Sequence, residues 1–77
     1  MEKNGISTRM RNIMNGYVGK IYNYYYHGQF MWTVKIVAVQ DCGYFITELR
    51  EWDNVWQSNA SYGEVVTNIK KGRFVEI

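Results

Sequence analysis

Three segments of the chain, 17–26, 30–40 and 44–51, are rich in aromatic and β-branched residues, and the last of them also alternates between an apolar and a more polar face. Alternation with a period of two, rich in aromatic and β-branched residues, is typical of β-strands. His27-Gly28 and Asp41-Cys42-Gly43 separate the segments and are suitable turn sequences. The pattern therefore predicts three antiparallel strands joined by two hairpin turns.

The middle segment, 30–40, is largely apolar on both of its faces. Because successive strand residues point to opposite faces, Trp32 and Val34 share one face while Met31 and Val37 share the other. Such a strand lies at the centre of a sheet, or it bends so that its halves serve different layers of a small closed barrel. We therefore expect Trp32 to be a core residue.

Residues 1–15 are predicted to form an N-terminal arm or a short helix ahead of a single small β domain at 16–77. Ser7 is a suitable N-cap, and Asn15-Gly16 is a suitable end for a helix. Four apolar residues then have helical spacing and predict a stripe that packs on the domain. They are Ile6, Met10, Ile13 and Met14.

The last third of the chain is less regular. Residues 52–60 break the alternation and are predicted to form a loop that carries two tryptophans. Ser61 and Glu64 have the spacing of a capping box, which predicts a short helix within 61–71. The competing prediction is a fourth strand there, because residues 65–67 are all β-branched. Residues 73–77 are predicted to form a terminal strand.

This order of elements predicts a mainly β fold, a small and strongly bent antiparallel sheet or a barrel of four or five strands. A short N-terminal helix or arm and a short helix near 62–71 complete it. In outline the order resembles an SH3-like barrel, and the resemblance rests on architecture, because the chain carries no motif of that family. The alternative is an α+β fold in which a β-meander packs against one helix.

Composition limits the functional classes. The chain has 77 residues, of which 47% are hydrophobic and 17% aromatic, as expected of one small globular domain. The net charge of +2 is too small to argue for nucleic acid by composition alone. No secretory leader or apolar span of bilayer length is present, so we expect a cytoplasmic protein, in the host cytoplasm if the chain is viral.

The sequence offers little chemistry for catalysis. It contains no glycine-rich phosphate loop, nucleophile elbow or metal-ligand cluster. Cys42 is the only cysteine and His27 the only histidine, so neither an intramolecular disulfide nor a zinc site is expected. We therefore predict a protein without enzymatic activity, cofactor or metal.

Aromatic residues are the main functional feature of the sequence. In a strand, Tyr22, Tyr24 and Tyr26 share one face while Asn23 and Tyr25 share the other. Rings on both faces exceed what a small core can easily bury, and exposed aromatic rings with polar tips are common binding anchors.

The two tryptophans of the predicted loop, Trp52 and Trp56, are the stronger candidates. We expect one to fold back against the sheet and the other to form an anchor within a polar rim. The candidate protein-binding residues are therefore Tyr22, Tyr24, Tyr26, Arg50, Trp52 and Trp56.

These features predict a small binding protein that docks on a host or cellular protein and inhibits or adapts it. A proline-free chain rich in Tyr, Asn, Lys and Ile also fits a phage-encoded host-takeover or anti-defence effector. A homodimer is left open, and no membrane partner is expected.

Two alternative functions use the same aromatic residues. A small barrel can bind single-stranded nucleic acid by stacking bases beside a basic groove, which Arg9, Arg11, Lys20 and Lys35 would line. A protein that sequesters a nucleotide, at a dimer seam for example, is the other alternative.

Overall fold

The computed structural model describes residues 5–77, so the first four residues of the predicted N-terminal arm lie outside the described part. Five strands form a single antiparallel sheet in the order β4-β3-β2-β1-β5. The elements in chain order are α1 (Thr8–Asn15), β1 (Ile21–Tyr26), β2 (Gln29–Val39), β3 (Tyr44–Glu51), β4 (Asn54–Ser61), α2 (Tyr62–Lys70) and β5 (Phe74–Glu76).

The predicted fold class is confirmed: the protein is mainly β, with a small antiparallel sheet and two short helices. The sheet is open, because β4 and β5 form its two edges, and the closed barrel considered from the sequence does not form. Helix α2 lies between these edge strands in sequence and leads the chain from one to the other.

Two turns have the chemistry that the sequence predicted. His27 and Gly28 both have positive φ, 51° and 79°, which matches the two-residue hairpin turn whose twist suits the adjoining strands. Gly43 has a φ of 88°, and the Gln40 N–H donates to the Tyr44 carbonyl at 2.8 Å to close the next turn. Glycine meets these positive φ values without steric cost.

The prediction of a loop over 52–60 was wrong. Within this segment only Trp52 and Asp53 form a turn. β4 then pairs with the whole length of β3: Asn54 lies opposite Glu51 at one end, and Ser61 lies opposite Tyr44 at the other. The strand is rich in Asn, Gln and Ser, which have low β propensity. Pairing with β3 overrides that local preference, because it satisfies the backbone hydrogen bonds along the inner side of β4.

Strand β1 is shorter than predicted. Residues 17–19 continue the turn that follows α1, and the Tyr17 N–H donates to the Met14 carbonyl at 2.9 Å. The register of β1 against β2 also shifts between Tyr24 and Tyr25, which pair with Trp32 and Phe30. The extra residue in β2 is a β-bulge, and such bulges bend and twist a strand.

Both helices pack on one face of the sheet. The buried side chains they share with that face are Met14, Tyr22, Val34, Ile36, Phe45, Thr47, Val65 and Phe74. Within the predicted stripe of α1, Met14 is buried and Ile6 and Met10 pack against the core, whereas Ile13 is exposed.

Of the two predictions for residues 61–71, the structure has the helix, α2. The Ser61 hydroxyl accepts a hydrogen bond from the Glu64 N–H at 3.1 Å, as an N-cap does. Ser7 caps α1 in the same way through the Met10 N–H. Gly72, with a φ of 76°, follows the end of α2 and lets the chain turn into β5.

The helices are held near the β2–β3 turn. The Ile6 N–H donates to the Asp41 carbonyl at 2.8 Å, and Arg11 forms an ion pair with the Asp41 carboxylate. The Tyr62 N–H, at the start of α2, donates to the Gly43 carbonyl at 3.2 Å. At the opposite end of this face, next to the other two hairpin turns, the side chains are less buried: Tyr24, Trp32 and Leu49 are only partly buried.

Candidate functional site

Aromatic side chains collect at the end of the sheet that lies away from α1. Thr33 pairs with Arg50, so the beginning of β2 lies beside the end of β3, and the turns at His27-Gly28 and Trp52-Asp53 are at the same end. We call this region the aromatic end. Its residues are Tyr24, Tyr25, Tyr26, Phe30, Trp32, Trp52 and Trp56.

On the helix-bearing face, the rings of the aromatic end form a continuous row. Tyr24 lies 5.3 Å from Trp32 between ring centroids, and Trp32 meets Trp56 edge to face at 5.8 Å. Tyr24 also meets Phe74 of β5 edge to face at 5.7 Å. Edge-to-face contacts are a favourable geometry for aromatic pairs, so the rings support one another's orientation.

A cleft of about 220 Å³ opens between this row of rings and helix α2. Tyr24, Trp32 and Leu49 form part of its apolar lining, and Glu64 and Asn68 of α2 contribute polar groups. An apolar depression with a few convergent polar groups is the usual form of a binding site.

The opposite face of the same end carries a second groove of about 180 Å³. Phe30, Arg50 and Trp52 line it, and Phe30 meets Tyr25 edge to face at 6.0 Å. Aromatic groups are thus presented on both sides of the sheet end, with the Arg50 guanidinium among them.

Trp52 is the most exposed large apolar side chain of the described residues, at 90%. Its φ is 55°, in the left-handed region that is costly for residues other than glycine and asparagine. Neither burial nor local geometry therefore explains a tryptophan here. A strained and exposed residue of this kind points to a role in binding.

We expect Trp52→Asn to stabilise the protein by about 0.5–1 kcal/mol, because asparagine tolerates the left-handed conformation better. Urea unfolding followed by circular dichroism measures the change. Asp53→Asn introduces the same residue at the neighbouring turn position, where φ is not positive, and should leave stability almost unchanged. Loss of stability in Trp52→Asn would mean that the indole supports the fold.

The structure separates the tyrosines named from the sequence. Tyr22 is buried and its ring stacks on Phe74 at 5.6 Å. Burial, reinforced by the nearby Glu76 carboxylate, raises the pKa of the Tyr22 phenol above its ordinary value. Tyr22 is therefore a core residue that contacts the aromatic end through Phe74. Tyr24 is half-buried, and Tyr26 is exposed beside His27.

The two tryptophans first placed in a loop take different positions. Trp56 lies on β4, 38% exposed, and packs on Trp32, while Trp52 projects from the turn. Trp32 itself was predicted to be a core residue; it packs against the core but is only partly buried, and it lines the cleft beside Glu64 and Asn68 of α2.

The four basic residues considered for nucleic acid do not share a surface. Arg9 and Arg11 belong to α1, on the helix-bearing side, whereas Lys35 lies on the opposite face beside Glu48 of β3. The Lys20 ammonium donates to the Glu76 carboxylate at 3.1 Å. Two of the four cations, Arg11 and Lys20, are therefore already paired with carboxylates.

Two further findings concern metals and membranes. Among residues 5–77, no group of three or more His, Cys, Asp or Glu side chains is placed to hold a metal ion. Neither helix in this part of the chain is long and apolar enough to cross a membrane.

Comparison of the chain with protein-family models, curated proteins and solved structures found no match.

Proposed function

We propose that this protein is a non-enzymatic binding protein that docks on a partner protein through the aromatic end and inhibits or adapts it. The observation that carries the proposal is Trp52, an almost fully exposed indole held in a strained turn. Tryptophan, tyrosine and arginine dominate the energetics of protein interfaces, and all three occur here.

The composition of the surface supports the same reading. Interface centres are depleted in charge and rich in aromatic rings, and a polar rim surrounds them. At the aromatic end, Trp32 and Trp56 form an apolar centre, while Arg50, Glu51 and Asp53 supply charges near the hairpin tip.

The partner would meet a surface that is already ordered. The mutual contacts of the rings fix Trp32, Tyr24 and Trp56, so little side-chain freedom is lost on binding. A protein that covers a working surface of its partner in this way acts as an inhibitor or an adaptor. That such a partner belongs to a phage host, as the composition suggested, stays a prediction.

Capture followed by reconstitution tests the proposal. The purified chain is used to retain proteins from a cell lysate, the retained protein is identified and produced alone, and calorimetry then measures its affinity and stoichiometry. We expect a one-to-one or two-to-two complex that Trp52→Ala and Trp56→Ala each weaken by about 2 kcal/mol or more, roughly 30-fold in Kd.

Tyr44→Ala is the matched control, because Tyr44 is an exposed aromatic residue near the opposite end of the sheet. It should leave the affinity unchanged. Equal affinity of both tryptophan variants and the native chain would overturn the proposal. So would retention of single-stranded nucleic acid alone, with an affinity that falls steeply with salt.

A further inference from the structure

Among residues 5–77, no strand pairs with the outer edge of β4, so this edge of the described sheet is free. β4 is an outer strand of the sheet and pairs with β3 on one side only. Glu51 of β3 and Asn54 of β4 lie opposite each other on either side of a two-residue turn. The two residues that flank such a turn bond to each other through their backbone N–H and C=O groups. At the other end, the Tyr62 N–H also points inward, to the Gly43 carbonyl.

Because backbone groups alternate in direction along a strand, the even-numbered residues of β4 bond to β3 and the odd-numbered ones face away. The hydrogen bond from the Thr47 hydroxyl to the Ser58 carbonyl, 3.1 Å, agrees with this assignment. The outward N–H and C=O groups therefore belong to Val55, Gln57 and Asn59.

This edge lacks the usual protection. Natural edge strands are kept from pairing by charged side chains, prolines, bulges or short length. β4 has eight residues, no charged residue and no proline, and its register against β3 runs without a shift. The other edge strand, β5, has three residues and carries the ion pair between Glu76 and Lys20.

We propose that the free edge of β4 binds β4 of a second copy of this chain, antiparallel and about a two-fold axis normal to the sheet. An uncharged strand suits this partner, because self-pairing brings no like charges opposite each other. The inference goes beyond docking at the aromatic end and does not depend on it.

The side chains of β4 are complementary to themselves under this symmetry. An axis normal to the sheet keeps each face on its own side, so odd-numbered residues pair with odd-numbered ones and even with even. If the axis passes by Gln57, Trp56 lies opposite Ser58 of the second copy. If it passes by Ser58, Trp56 lies opposite Ala60, so in both registers the large indole meets a small side chain.

The dimer would form one continuous sheet twice as wide, with both aromatic clefts on the same face. Paired edges also hide the backbone groups that would otherwise recruit other strands. A partner with two equivalent surfaces would then meet two copies of the aromatic end at once.

Sedimentation equilibrium of the full chain over a dilution series tests the proposal. We expect a mass approaching twice 9.2 kDa at high concentration. Gln57→Lys places two ammonium groups opposite or diagonal to each other across the axis and should raise the dissociation constant about tenfold or more. Val75→Lys, the same charge on the other edge strand, should leave it unchanged.

Amide hydrogen exchange of the native chain provides a measurement without mutation. The amides of Val55, Gln57 and Asn59 should become protected only at dimer concentrations, whereas those of Trp56 and Ser58 should be protected throughout. A chain that stays monomeric, a dimer that Val75→Lys dissociates, or odd-numbered amides that never become protected would each overturn the proposal. Loss of partner binding in Trp52→Ala, outside β4, would not bear on it.

Discussion

Phe45→Ala is expected to destabilise the protein by about 3–5 kcal/mol and to leave it largely unfolded near body temperature. Phe45 is fully buried and is among the largest side chains in the core. The centroid of its ring lies 5.7 Å from that of Tyr17 and 6.4 Å from that of Tyr62, so loss of the ring opens a cavity at the start of α2. A domain of this length has a total stability of only about 4–11 kcal/mol.

Urea unfolding measures the loss, and Phe30→Ala is the matched control. It removes the same side chain from β2, where Phe30 is 54% exposed, and should cost about 1 kcal/mol or less. Comparable losses in the two variants would show that the core lies elsewhere.

Met14→Ala is expected to cost about 2–5 kcal/mol, chiefly by detaching α1. Met14 is the buried residue of α1, and Ile6 and Met10 only pack against the margin of the core. The contacts of this segment with Asp41 include a backbone hydrogen bond and an exposed ion pair, and exposed ion pairs contribute little. Amide exchange should therefore accelerate in α1 more than in the sheet.

Ile13→Ala controls for the change of residue within the same helix. Ile13 is 42% exposed, and alanine is the better helix former, so a loss well under 1 kcal/mol is expected. If Met14→Ala destabilised the protein no more than Ile13→Ala and the amides of α1 kept their protection from exchange, α1 would be held mainly by the contacts with Asp41.

Local patterns were sufficient for much of the fold. The run of apolar and β-branched residues identified β2, alternation identified β3, and His27-Gly28 and Gly43 marked two turns, because positive φ strongly restricts residue choice. The Ser61–Glu64 spacing predicted a helix within 61–71, while the β-branched residues at 65–67 left a strand open as the alternative. β4 could not be found in this way: Gln57 and Asn59 are strand residues only because β3 lies beside them.

Only part of the candidate site could be predicted from the sequence. Aromatic abundance indicated a recognition surface, but which rings are exposed depends on long-range features. The bulge opposite Tyr24 and Tyr25 and the path of α2 over one part of the sheet decide that Tyr22 is buried and Trp32 lines a cleft. Neither feature has a short sequence motif that would reveal it.

The pairing of β1 with β5 has a consequence for how the chain folds. The other three strand pairings join neighbours in sequence, so each forms by closing a short loop, which is rapid. Tyr24 and Phe74, in contrast, are separated in sequence by β2, β3, β4 and α2, so their pairing closes a long loop at a larger cost in chain entropy. We therefore expect contacts of Phe74 to form late, so that weakening them hastens unfolding more than it slows folding.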